Sequence, residues 1–174
     1  MQEDLVSKID SKINSFGYKN YGSKNYAYNF KMITWENLTL NSYLKIKLIQ
    51  YSGYDRMQNC ITENDPDFEL NITIGIGTTD FYEERWNSIP IDLLSDELKS
   101  TYRFNDLKEY EDKSSKIVSD AIKGVEIFIE QPTIFLEKLK TKNSTQKLIR
   151  TMENGKISDD ERDVNERETF FNKN

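Results

Sequence analysis

Apolar residues near the N-terminus recur at three- and four-residue intervals. Val6, Ile9, Ile13 and Phe16 form such a stripe, with Lys8, Asp10 and Lys12 between them, which predicts an amphipathic helix over 2–16. Gly17 is placed to stop it, because glycine takes the left-handed cap conformation without strain. The next segment, Tyr18–Asn25, contains Asn residues and Gly22, and reads as turn-rich chain leading into a strand.

The period then changes from three and four to two. Tyr26, Tyr28, Phe30 and Met32 alternate with Asn29 and Lys31, and Leu44, Ile46 and Leu48 alternate with Lys45 and Lys47. Phe68, Leu70, Ile72, Ile74 and Ile76 alternate with Glu69, Asn71, Thr73 and Gly75. Each segment predicts a strand with one buried and one wetter face, the habit of antiparallel sheets. Glu36–Ser42 is short enough for a hairpin connection, whereas Ser52–Asp67 is longer, acidic and contains Pro66, so it reads as a surface loop.

Helical spacing returns in the C-terminal half. Ser88-Ile89-Pro90 resembles a helix start, with Leu93, Leu94 and Leu98 as its apolar side. Asn105 is placed to cap a long helix carrying Leu107, Tyr110, Ile117, Val118, Ala121, Ile122 and Val125. Gly124 either ends or bends it, so Val125–Ile129 is open between helix and a short strand. Pro132 opens a further helix with Phe135, Leu136 and Leu139, and Leu148, Ile149 and Met152 suit a last short one. The expected fold is α+β: an antiparallel sheet of at least three strands packed by N-terminal and C-terminal helices. Residues 1–153 form the single domain, and 154–174 a polar, charged tail whose Phe170 and Phe171 leave docking open.

Composition narrows the function classes. Of 174 residues, 12% are aromatic, which excludes a wholly disordered chain. There is no histidine, which removes the commonest general base and zinc ligand and every histidine-containing triad or dyad. Cys60 stands alone, so no internal disulfide forms. Apolar runs are too short to span a bilayer and the first residues lack a signal core, so the expectation is a soluble cytoplasmic protein with no membrane contact. Abundant Lys, Ile, Asn and Tyr with only 2 Ala point to a low-GC bacterium or its phage.

The net charge of −6 is unevenly spread. Residues 1–50 balance to +3, 51–100 to −8, 101–150 to +2 and 151–174 to −3. A region of one sign steers partners of the other.

The order of elements resembles a family of small bacterial domains of unknown function, the DUF4304 domains. The resemblance rests on Gly17-Tyr18-Lys19 after the first helix, Leu48-Ile49-Gln50-Tyr51-Ser52, Ile72-Thr73-Ile74-Gly75-Ile76, Asp120-Ala121-Ile122 and Phe135-Leu136-Glu137. It covers roughly residues 5–140, departing at the acidic insertion 53–67 and the tail. It implies the α+β build and no defined activity. Domains of this build in low-GC bacteria resemble immunity or accessory proteins of toxin loci.

Several stretches invite chemical readings. Glu63-Asn64-Asp65-Pro66-Asp67-Phe68-Glu69 begins like a calcium loop from Asp65, but its sixth and twelfth positions are Leu70 and Ile76, which rejects an EF-hand. Asp80, Glu83 and Glu84 beside Arg85 and Trp86 could serve as an acid–base pair, although helix capping explains them more simply. Gly75 and Gly77 lack the lysine of a phosphate loop and the third glycine of a dinucleotide loop, and glycine on the exposed strand face more often marks a bulge or close approach of another backbone. Lysines and tyrosines interleave over 16–31 as in single-strand nucleic-acid binders, yet their alternation reads as a packing face, so direct nucleic-acid binding is not expected. Cys60 has only Arg56 as a basic neighbour, which gives no reason for a reactive thiolate. The Asn37, Asn71 and Asn143 sequons carry no meaning without secretion.

The reading that fits best is a non-catalytic protein-binding module, an immunity or inhibitor protein neutralising a basic toxin or enzyme, with no metal and no cofactor. Its expected surface is Asp55, Glu63, Asp65, Asp67, Asp80, Glu83 and Glu84, with Tyr51, Tyr54 and Trp86 as anchors. Two alternatives stand beside it: a phage antagonist of a host nucleic-acid enzyme acting by acidic mimicry, and an Asp/Glu-dependent enzyme.

Overall fold

A computed structural model describes residues 2–25, 30–51, 66–77 and 87–142. Helix α1 (Gln2–Ile13) tightens into a 3-10 turn at Asn14–Phe16 and stops at Gly17, whose φ of 82° is the left-handed cap expected of it. Six described strands follow, β1 (Lys19–Asn25), β2 (Phe30–Asn37), β3 (Ser42–Gln50), β4 (Phe68–Ile76), β5 (Ser88–Pro90) and β6 (Thr101–Phe104). They make one antiparallel sheet in the order β1-β2-β3-β4-β5. Strand β6 pairs Phe68–Asn71 of β4, and β5 pairs Thr73–Gly75 further along it. Helix α2 (Leu107–Glu130) and a helix over 132–142, α3, complete the described fold. The protein is α+β.

The register puts one apolar set on one face. Ile33, Leu44, Ile46, Leu70, Ile72, Ile74 and Ile76 are all buried at 1% exposure or less. Leu5, Ile9 and Ile13 of α1, the Tyr110–Phe128 stripe of α2, and Phe135 and Leu139 of α3 belong to the same core. Burial of this kind stabilises by about 25 cal/mol per Å² of apolar surface, so the matched faces dominate folding. Phe128 and Phe135 meet edge to face at 4.9 Å across the α2–α3 break.

Asn37 fixes the β2–β3 hairpin. Its side-chain oxygen accepts from the Thr39 and Leu40 N–H groups at 3.0 Å, while its amide donates to Phe16 O at 2.8 Å. That occupied, 4%-exposed side chain gives the first sequon a structural role.

Several expectations need correction. Tyr18–Asn25 is not a turn: Tyr18 is buried with its hydroxyl 2.7 Å from Ser42 Oγ, and Lys19 opens β1. The expected strand ending near Met32 runs instead from Phe30 to Asn37, and its helix-facing residues are Ile33 and Trp35, with Met32 on the opposite face. Ser88-Ile89-Pro90 is strand β5, held by pairing with β4, and a 3-10 turn replaces the expected helix. Thr101–Phe104 is a strand too short to show a period. The α2 cap is Asp106 rather than Asn105: its carboxylate accepts from Glu109 N at 2.8 Å, and Glu109 reaches back to Asn105 N at 2.9 Å. Helix α2 runs straight through Gly124, where a Cβ would stand 3.0 Å from Ile91 Cγ2, so this glycine admits a neighbour and ends nothing. The tail 154–174, the segment around Leu148, and Tyr26 and Tyr28 lie outside the described residues.

The second sheet face is not the wet face expected. Thr34 and Tyr43 are fully buried and Lys45 is 7% exposed, its ammonium 5.2 Å from the centre of the Tyr43 ring. Gly75 makes this possible. It lies directly opposite Tyr43, and a Cβ there would be 2.4 Å from Tyr43 Cζ and 2.9 Å from the Asn87 carbonyl oxygen. Gly75→Ala is therefore expected to overpack this face and lower stability by about 1–3 kcal/mol. Urea unfolding checks it; an unchanged midpoint would show that the Tyr43 ring is not confined there.

Candidate functional site

Of the surface expected from sequence, the structure describes Tyr51 and Asp67 and brings them together. The Tyr51 N–H donates to Asp67 O at 2.8 Å, extending the β3–β4 pairing by one step. Tyr51 is half-buried and Asp67 exposed. Asp55, Glu63, Asp65, Asp80, Glu83, Glu84, Tyr54 and Trp86 lie outside the described residues, as do Cys60 and Arg56.

Two groups stand out among the described carboxylates. One group is tied to the chain's own cations: Asp4 to Lys8 at 2.7 Å, Glu69 to Arg103 at 2.9 Å, Glu97 to Lys123 at 2.6 Å, and Asp120 to Lys116 at 2.5 Å. The Lys123 contact holds the Glu97 carboxyl below the ordinary value, and the same pair raises Lys123. Glu69 also anchors a polar ladder across β4 and β6, since Asn71 donates to it at 3.0 Å and accepts from Thr101 at 2.8 Å.

Asp120 is the most deeply placed of these acids, at 1% exposure on α2. It accepts from the Lys99 backbone N–H at 3.1 Å, from the Tyr102 hydroxyl and from the Lys116 ammonium. Three donors satisfy a buried charge, so Asp120 serves as a joint between α2 and the segment entering β6. The sequence shows Asp120 only as part of Asp120-Ala121-Ile122, because a lone acid on a helix carries no partner information.

The second group lines a groove of about 460 Å³ between α1 and β1. At about 100° per residue, Glu3, Ser7 and Asp10 fall on one stripe of α1, flanking the buried Leu5–Ile9–Ile13 stripe. Asn20, Gly22 and Ser23 form the other wall, and Val6 and Ile33 the floor. Asp10 is held in place because its Oδ1 accepts from the indole N–H of Trp35, which is fully buried and needs an acceptor. The groove exists because the β1 residues that line it, Asn20, Gly22 and Ser23, are small and the strand bulges between Asn20 and Gly22. A Cβ at Gly22 would meet nothing within 4 Å. The sequence held the Glu3–Ser7–Asp10 stripe, but the facing wall comes from a strand that local pattern does not reveal.

Among the described residues no three of Asp, Glu and Cys cluster as metal ligands would. No described helix is long and apolar enough to cross a membrane.

Two predictions follow from the buried polar groups. Asp120→Ala leaves the Tyr102 hydroxyl and the Lys99 N–H without their acceptor, each at about 1–3 kcal/mol; a loss below that range in urea unfolding would show that water replaces it. Burial raises Tyr18, Tyr102 and Tyr110 above the ordinary 10.0, with Asp120 adding to the effect at Tyr102 and Asp4 at Tyr110, which is pushed up to about 12. The fold thus favours the neutral phenols: their contribution is complete below pH 10 and is lost as pH rises through the raised native values. Tyrosinate absorbance from these three is expected to appear together with alkaline unfolding. Their ionising near pH 10 in an intact fold would contradict it. No family model matches the chain, and no curated protein or solved structure matches it either.

Proposed function

We propose that the chain is a non-catalytic protein-binding module, an immunity or inhibitor protein of the DUF4304-like kind that acts in the cytoplasm and neutralises a basic toxin or enzyme through an acidic surface. The observation that carries the reading is where two lysines of α2 go. Residues 101–150 balance to +2 and had the capacity to offset the −8 of residues 51–100. Lys113 and Lys116 instead sit on Glu109 and Asp120 of their own helix, whereas Arg103 and Lys123 meet Glu69 and Glu97 of that middle stretch. Lys113 and Lys116 are thus engaged within α2 and do not offset the middle stretch, which supports an acidic excess that attracts a basic partner. Carboxylates then steer encounter and set specificity, while aromatic groups such as Tyr51 supply contact area.

The test is retention of a partner by the immobilised chain at low and high salt. The parent is expected to retain a discrete basic protein that is released as salt rises, because screening shortens the reach of surface charge to about 8 Å at physiological ionic strength. The variant Asp65→Asn, Asp67→Asn, Glu83→Gln, Glu84→Gln is expected to retain much less while unfolding at the same urea concentration. Equal retention by parent and variant at low salt would overturn the acidic surface.

A further inference from the structure

We propose that the groove between α1 and β1 receives a lysine or arginine side chain from a basic protein partner. The inference rests on the protein-binding reading and gives that reading a defined contact.

The argument is one of charge and shape together. Glu3 and Asp10 sit about two helical turns apart on the same stripe, roughly 10 Å along α1 at about 1.5 Å per residue. Both line the groove, and among the described residues no lysine or arginine lines it with them. The lysines of α1 are turned away: Lys8 pairs with Asp4, and Lys12 falls on the same outward stripe. Neither groove acid forms an ion pair among the described residues, unlike Asp4, Glu69, Glu97, Glu109 and Asp120.

Shape selects the kind of cation. The floor is apolar, made by Val6 and Ile33, and the volume lies within the range of about 300–1,000 Å³ found for ligand pockets. A lysine or arginine has an aliphatic stem that suits such a floor and a charged head that suits the carboxylate rim. The site is also fixed in advance. The Trp35 indole holds Asp10 by one oxygen, so the carboxylate is positioned before any ligand arrives, which limits the entropy lost on binding.

The test uses the full chain and N-acetyl-hexalysine amide as the probe, followed by amide chemical shifts at low salt. Shifts are expected to concentrate at Ser7, Asp10, Asn20, Gly22 and Ser23. The double variant Glu3→Gln, Asp10→Asn, whose Asn keeps an acceptor for Trp35, is expected to weaken probe binding about tenfold, the scale of two partly exposed ion pairs. A control removing equal charge elsewhere, Glu111→Gln with Asp112→Asn on α2, is expected to change it less than about twofold. Shifts spread evenly over the exposed acids, or equal binding by parent and double variant, would overturn the proposal. So would shifts at the groove with spermidine and none with hexalysine, which would make this a small-polyamine site. Partner retention separates the two readings: loss of groove binding while the acidic loops still retain a protein removes this inference alone.

Discussion

Strand β3 is paired on both sides, and its register decides what every other element meets. Leu44, Ile46 and Leu48 lie opposite Ile74, Ile72 and Leu70 of β4, and Leu44 and Ile46 also face Trp35 and Ile33 of β2. A slip of one residue would carry this whole apolar set to the other face and bring Tyr43, Lys45 and Lys47 under the helices. The same register sets Tyr43 against Gly75, the one position in β4 that can accept a ring lying across it. Helices α1 and α2 pack where the isoleucines are, so their positions follow from the pairing.

The consequence for binding lies at the sheet's edge. With α1 seated by Leu5, Ile9 and Ile13 over the apolar centre, the outer strand β1 meets it across a gap lined on the strand side by Asn20, Gly22 and Ser23. The core therefore generates the groove as a by-product of helix placement. Its charge comes from a second fact: on α1, Asp4 pairs with Lys8, while Glu3 and Asp10 form no ion pair among the described residues. Elsewhere among the described residues, Asp4, Glu69, Glu97, Glu109 and Asp120 are held by the chain's own cations, so they add little to any field beyond their pairs.

Strong periodicity was readable in advance, and local conformation imposed by neighbours was not. Leu44–Leu48 and Phe68–Ile76 announce their strands by alternation, and the α1 and α2 stripes announce their helices. Lys19–Asn25 has neither alternation nor strand propensity; it is extended because β2 offers it a ladder. Pro90 suited a helix start as well as a strand end, and only the Ser88–Gly75 pairing distinguishes them. Gly124 gave two local readings, and the packing of Ile91 against it explains why the helix persists. The burial of Lys45 was hidden because its partner ring is Tyr43, on its own strand and face, above a glycine two strand positions from Lys45's own cross-strand neighbour. At the candidate site the chain displays its acids plainly, while the wall that turns Glu3 and Asp10 into a groove belongs to the strand least visible in the sequence.

Cysteine pairing across β3 and β4 tests the register most directly, in a chain with Cys60 replaced by Ser. Lys47 lies directly opposite Asn71, where facing Cα atoms are about 4.5–5.5 Å apart and within the reach of a disulfide. Lys47 and Thr73 are diagonal, at about 7–8 Å. The account predicts that Lys47→Cys with Asn71→Cys closes an intrachain disulfide on mild oxidation while Lys47→Cys with Thr73→Cys stays reduced. Closure of the second pair in place of the first would contradict the register and with it the faces, the helix seats and the groove.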